Sequence, residues 1–157
     1  MTLPSASQRF VEQSAELGYI ARPMVFPQGT KTSQDAANAA GCLLSQIAKS
    51  IVLTADGDPI VVLMSGDHRV DTKALAQAIG VDKVRRADLD VVRAATGYAA
   101  GGTPPFAHAT PVMVYVDVSL KRNDEVWVAA GTPSTIFPMP LATMVEVAKA
   151  KWVDVAE

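Results

Sequence analysis

Apolar and polar positions alternate along this chain in stretches that read by turns as helix and as strand. From Ser5 to Leu17 the residues Phe10, Val11, Ser14 and Leu17 fall near one helical face, with Ser5 or Ser7 as candidate caps and Gly18 as the stop. Ile20 to Phe26 reads as a strand that Pro23 confines to a sheet edge. Thr32 or Ser33 can cap a short alanine-rich helix that Gly41 ends. Gln46 to Thr54 and Pro59 to Ser65 form two strands joined at Asp56-Gly57-Asp58, a hairpin pattern. Helices follow from Asp71 or Thr72 to Ile79 and from Asp88 to Ala95. Val112 to Asp117 and Val126 to Ala130 are strands with Arg122-Asn123-Asp124 turning between them, and Ser134 to Phe137 is a further short strand. Leu141 to Ala150 is an amphipathic helix, and Trp152 to Val155 fits a last strand. This interspersed order, with an early hairpin in place of a βαβ unit, predicts an α+β fold: a mixed, largely antiparallel sheet with helices around it.

One residue disturbs that pattern. Lys49 lies in the run Ile47-Ala48-Lys49-Ser50-Ile51-Val52-Leu53, and strand alternation places it with Ile47, Ile51 and Leu53 on the more apolar face. An ammonium there is costly unless an anion or strong hydrogen-bond acceptors meet it. A strand-end lysine that snorkels to water is the ordinary explanation. The functional alternative is a cation aimed at a phosphate or a developing oxyanion. A Schiff-base lysine would need further groups that the sequence does not identify.

Two loops add to this. Gly97 to Phe106 contains Gly101-Gly102-Thr103-Pro104-Pro105, where glycines allow close approach to the backbone and consecutive prolines fix φ. Ala129-Ala130-Gly131-Thr132-Pro133 is a second glycine turn, which reads first as an ordinary hairpin. Asp67-His68-Arg69-Val70-Asp71 is charged and its last carboxylate suits a helix cap. His68 and His108 lack partners at metal-ligand spacing, and Cys42 reads as a small buried hydrophobe. No metal site and no organic cofactor are expected. Tyr19, Met24, Phe26, Thr30 and Met113 are candidates to line a small pocket.

Composition narrows the class. At 157 residues the chain reads as a single domain over 1–157, and its 49% hydrophobic and 19% charged content exclude disorder. One cysteine precludes an internal disulfide. Met1 to Phe10 has no basic segment followed by an apolar run, and no apolar stretch reaches the length of a membrane span, so a cytoplasmic, membrane-free location is expected. A net charge of −2 speaks against gripping DNA or any long nucleic acid by its phosphates. Any nucleic-acid contact should be local, with Lys83, Arg85, Arg86 and Arg93, or Lys121, Arg122, Lys149 and Lys151, as its basic candidates.

With these residues in view, the chain resembles the YbaK/EbsC family of editing domains associated with prolyl-tRNA synthetase. The resemblance rests on Ala36-Ala37 and Gly41 leading into Ile47-Ala48-Lys49-Ser50-Ile51-Val52, on Ser65-Gly66-Asp67-His68-Arg69-Val70-Asp71, on Gly97-Tyr98 with Gly101 to Phe106, and on Ala130-Gly131 with the terminal helix and Trp152 to Val155. It implies a YbaK-like mixed sheet or barrel surrounded by helices. It implies hydrolysis of mischarged aminoacyl-tRNA, often tRNA for proline carrying alanine or cysteine. The partners implied are the acceptor end of the tRNA and, as a candidate, prolyl-tRNA synthetase. Lys49 matches the family's essential lysine, and Lys49 with Gly101 are the catalytic candidates. Gly102, Thr103, Pro104, Pro105 and Gly131, with Thr30 and Met113, are the substrate-binding candidates. The same fold acting as a non-catalytic aminoacyl-tRNA or synthetase binding module is the alternative. Two positions depart from the family pattern: Ala107, where many relatives have glycine, and Pro138-Met139-Pro140-Leu141 before the last helix.

Overall fold

The computed structural model describes residues 2–157. Its helices are α1 (Ser5–Glu16), α2 (Ser33–Ala40), α3 (Thr72–Ile79), α4 (Leu89–Thr96) and α5 (Leu141–Ala148). Its strands are β1 (Met24–Val25), β2 (Ala48–Ala55), β3 (Asp58–Ser65), β4 (Val84–Arg86), β5 (Met113–Asp117), β6 (Glu125–Ala129), β7 (Thr135–Pro140) and β8 (Lys151–Val153). The strands form two sheets, ordered β4-β2-β3-β5-β8 and β1-β7-β6. A single bridge, Ile47 to Trp127, joins them, and the sheets do not close into a barrel.

Local chemistry explains most of these elements. Asp56 and Gly57 both take positive φ, 47° and 89°, the conformation of a tight two-residue hairpin turn. The Asp56 carboxylate locks that turn by accepting from the amides of Asp82 and Lys83 at 3.1 and 2.8 Å. Asp71 caps α3 by accepting from the amides of Lys73 and Ala74. Thr32 caps α2 in the same way through Asp35, and Gly41 and Gly80 end α2 and α3 in left-handed conformation. α1 differs from expectation: Pro4 precedes it and no side chain caps it, because Ser5 and Ser7 already lie inside the helix.

β3 is the spine of the larger sheet and is buried on both faces, which is why its sequence is an unbroken apolar run. Val61 and Leu63 face one core with Phe10, Val116, Val128, Phe137 and Met144, between the two sheets and helices α1 and α5. Ile60, Val62 and Met64 face a second core with Leu53, Leu75 and Val155, under α3.

Several expectations change. Of the strand expected from Ile20 to Phe26, only Met24 and Val25 pair, at the sheet edge that Pro23 required. β4 was not expected; three residues with two arginines carry no strand pattern of their own, and the edge of β2 supplies the pairing. β5 and β6 belong to different sheets, because β5 pairs in parallel with β3 and β8, and Val118–Arg122 between them is a 3-10 turn. β7 runs through two prolines to Pro140. Its pairing with β1 stops at Ile136, so Pro138 and Pro140 need donate nothing on that side. Cys42 is half-buried, beside Ala36, Ile47 and Trp127.

Candidate functional site

A small cavity of about 90 Å³ opens beside the Ile47–Trp127 bridge, where β2 begins. Its walls come from five segments: Thr30 to Ser33 with Ala36, Ile47 to Ser50, Ala100 with Gly101 and Thr103, Trp127 to Ala129, and Ile136. The N-terminal end of α2 borders it and adds partial positive charge.

Lys49 is half-buried in this wall and makes no ion pair among the described residues. The alternation predicted for β2 holds for Ile51 and Leu53, which pack in the core beneath α3. Ile47 instead precedes the strand and packs with Trp127 and Ile136. The lysine therefore stands where the apolar face ends and the cavity begins. Burial pushes its pKa down, the positive charge of Arg69 pushes it further down, and Asp67 pulls it up. A lysine with weakened hydration and no counter-ion is disposed to meet an anion.

Gly101 and Thr103 also line the cavity. A Cβ on Gly101 would lie 3.4 Å from Pro133 Cγ and 3.6 Å from Lys31 Cγ, an ordinary contact. Gly102 differs: a Cβ there would stand 2.6 Å from the Thr132 backbone. That close approach lets the Gly131 amide donate to the Gly102 carbonyl at 2.9 Å. Gly131 has φ 109° and a Cβ there would meet the Ala6 carbonyl at 3.0 Å, against α1. Gly102 and Gly131 thus fix the loop from behind and do not line the cavity. Pro104 and Pro105 are buried outside it. His108 Nε2 donates to the Pro104 carbonyl at 2.8 Å, and burial lowers the pKa of that imidazole. Ala107, where relatives often carry glycine, holds φ 63°, a left-handed value that glycine adopts without strain.

Thr30 lines the cavity, its amide and hydroxyl both donating to the Pro133 carbonyl, at 2.7 and 3.1 Å. Met113 does not. It begins β5, is 44% exposed, and lines a separate concavity with Pro59, Ile60 and Thr110. Of the pocket candidates, Tyr19 packs on Phe106 and Phe137 and Met24 is exposed. Among the described residues no three His, Cys, Asp or Glu side chains gather as metal ligands, and no helix is long and apolar enough to cross a membrane.

Sequence reasoning missed three contributors. Ser50 follows Lys49, and its hydroxyl is buried with no hydrogen-bond partner among the described residues. Trp127 closes the wall from β6. Asp67 accepts two hydrogen bonds from Arg122, at 2.9 and 2.7 Å, which hold its carboxyl far below the usual carboxylate range. The unpaired Ser50 hydroxyl has no sequence signature, and Asp67 and Arg122 lie far apart along the chain.

Comparison with known proteins places the chain in a family. Residues 27–147 match the aminoacyl-tRNA editing domain. YwhH of Bacillus subtilis, a protein of unassigned activity, is 34% identical over 134 residues, 84% of this chain and 85% of that one. EbsC of Enterococcus faecalis, described as a candidate Cys-tRNA(Pro)/Cys-tRNA(Cys) deacylase, is 26% identical over 80% of this chain and 76% of its own. A crystal structure described as a candidate trans-editing enzyme for prolyl-tRNA synthetase superposes with a TM-score of 0.93 at 31% identity, covering 99% of both chains. The cavity beside Lys49 is set in an editing-domain scaffold, and the chain belongs to the aminoacyl-tRNA editing-domain family.

Proposed function

We propose that this protein hydrolyses the ester of mischarged aminoacyl-tRNA in trans, with tRNA for proline carrying a small non-cognate residue such as alanine or cysteine as the substrate class. The observation that carries this reading is Lys49: a half-buried cation without an ion pair, across a small cavity from a glycine-led loop. The described activities of EbsC and of the structural neighbour support the choice of tRNA and the association with prolyl-tRNA synthetase.

An aminoacyl ester is already activated, so the site needs positioning and charge stabilisation more than a strong nucleophile. Lys49 holds a phosphate of the terminal nucleotide and brings the ester to the loop. Amides of that loop stabilise the oxyanion as water adds to the carbonyl carbon. The Gly102 N–H is already given to the Ala99 carbonyl, which narrows the donors to Gly101 and Thr103. The carbon–oxygen bond to the ribose then breaks, and the proton lost by water reaches the ribose oxygen, with the vicinal hydroxyl as relay. The smallness of the cavity favours a small aminoacyl group.

The test is hydrolysis of alanyl-, cysteinyl-, seryl- and prolyl-tRNA for proline by the wild type and Lys49→Ala. Cleavage of a mischarged species that spares the prolyl form and disappears in the variant is the expected result. Binding without cleavage of any species would replace the reading with a non-catalytic binding module.

A further inference from the structure

Lys49 has a carboxylate within electrostatic reach and yet forms no ion pair with it. The backbone brings the two close: Lys49 pairs with Met64 across the β2–β3 ladder, and the Gly66 amide donates to the Ile47 carbonyl at 2.8 Å. Asp67 follows directly. Its carboxylate is engaged by Arg122. Arg122 Nη2 donates to Oδ1 at 2.7 Å and Nη1 to Oδ2 at 2.9 Å, a two-pronged pair that fixes the plane of the carboxylate. The guanidinium is held in turn by Nε donating to the Ser119 carbonyl at 2.8 Å and Nη2 donating to Ser65 Oγ at 2.9 Å. Ser65 Oγ has one proton to give, and both the Ser45 carbonyl and Asp67 Oδ1 lie within reach, at 2.9 and 2.7 Å.

Ion pairs this exposed contribute little to stability, since the Arg122 side chain is 45% exposed. Its geometry has another consequence. We propose that Arg122, seated by Ser65, is a positioning residue for Lys49: by gripping both oxygens of Asp67 it fixes the carboxylate in place and keeps it from swinging onto the ammonium, so that Lys49 stays available to an anionic group in the cavity. Asp67 then acts at a distance, tempering the repulsion from Arg69 without neutralising the lysine. Lys31 on the cavity wall and His68, 3.7 Å from Asp67 Oδ1, are further charged or titratable groups beside this arrangement.

This inference rests on the anion-binding reading of the cavity, and two readouts separate their failures. The first is an NMR titration of the Lys49 side chain in the free protein. The second is the affinity for adenosine 5′-monophosphate, used as the probe. Arg122→Ala releases Asp67. The Lys49 pKa should rise and the probe should bind about fivefold more weakly, the effect of one competing ion pair. Asp67→Asn combined with Arg122→Ala should restore probe affinity to within about twofold, because the competitor is gone. A purely structural clamp would leave the double variant as weak as the single one, and that result overturns the proposal. So does a Lys49 pKa that Arg122→Ala does not move. If the wild type fails to bind the probe, the anion-binding reading falls, while the titration still decides whether Arg122 restrains Asp67.

Discussion

The two ends of β2 are built on opposite principles. At the hairpin end the turn is locked by its own polar groups: Asp56 and Gly57 turn the chain, and the Asp56 carboxylate accepts two backbone amides. At the other end of this eight-residue strand, the Lys49 ammonium has no counter-ion and the Ser50 hydroxyl no partner among the described residues. A buried polar group without a partner costs about 1–3 kcal/mol. Ser14 on α1 carries a second unpartnered buried hydroxyl, so it is the unpaired lysine beside Ser50 that sets this end of the strand apart.

The comparison is broken most directly at Lys49. Lys49→Ala should reduce deacylation by about 100-fold or more, the scale of a misplaced substrate. It should leave thermal stability close to wild type, because no ion pair is lost. A large drop in melting temperature with activity retained would make Lys49 structural.

Next in size is the contrast between adjacent glycines. Gly102→Ala drives a methyl to 2.6 Å from the Thr132 backbone and should cost about 2–3 kcal/mol in chemical denaturation. Gly101→Ala meets only ordinary contacts and should cost less than about 1 kcal/mol. Because its methyl lies at the cavity wall, it should raise KM. Equal destabilisation by both would remove the division between a packing glycine and a lining one.

At the hairpin end, Gly57→Ala places a Cβ at φ 89° and should cost about 1–2 kcal/mol without changing kcat/KM. The smallest effect is expected at Ser50. Ser50→Ala removes an unsatisfied buried hydroxyl and should stabilise the free protein by up to about 1 kcal/mol. It should also weaken substrate binding, the opposite pairing of effects from Gly57→Ala. Loss of stability at Ser50 would mean the hydroxyl has a partner in solution.

Much of the fold was legible because its causes are local. The Asp56-Gly57 turn, the Thr32 and Asp71 caps, the Gly41 and Gly80 stops and the apolar run of β3 each follow from residues a few positions apart. β4 escaped because its two arginines favour no strand until the edge of β2 offers hydrogen bonds. The separation of β5 from β6 escaped because parallel pairing joins segments distant in sequence. In the site, Lys49 and Gly101 stood out as an out-of-place charge and a glycine-led loop, and both line the cavity with Thr30 and Thr103. Gly102, Pro104, Pro105 and Gly131 belonged to the same motifs but support the loop from outside the cavity, and Met113 faces elsewhere.

The sequence by itself determined the α+β class, the hairpin, the caps of α2 and α3 and the anomaly of a lysine in an apolar strand, since each is set by short-range sterics, hydrogen bonding and periodicity. Tertiary structure alone decided that Ile47 leaves the apolar face of β2, that Arg122 takes Asp67 from across 55 residues, and that Ser50 is left without a partner. Those outcomes depend on which charges and hydroxyls meet once distant segments pack, and local propensity does not encode such meetings.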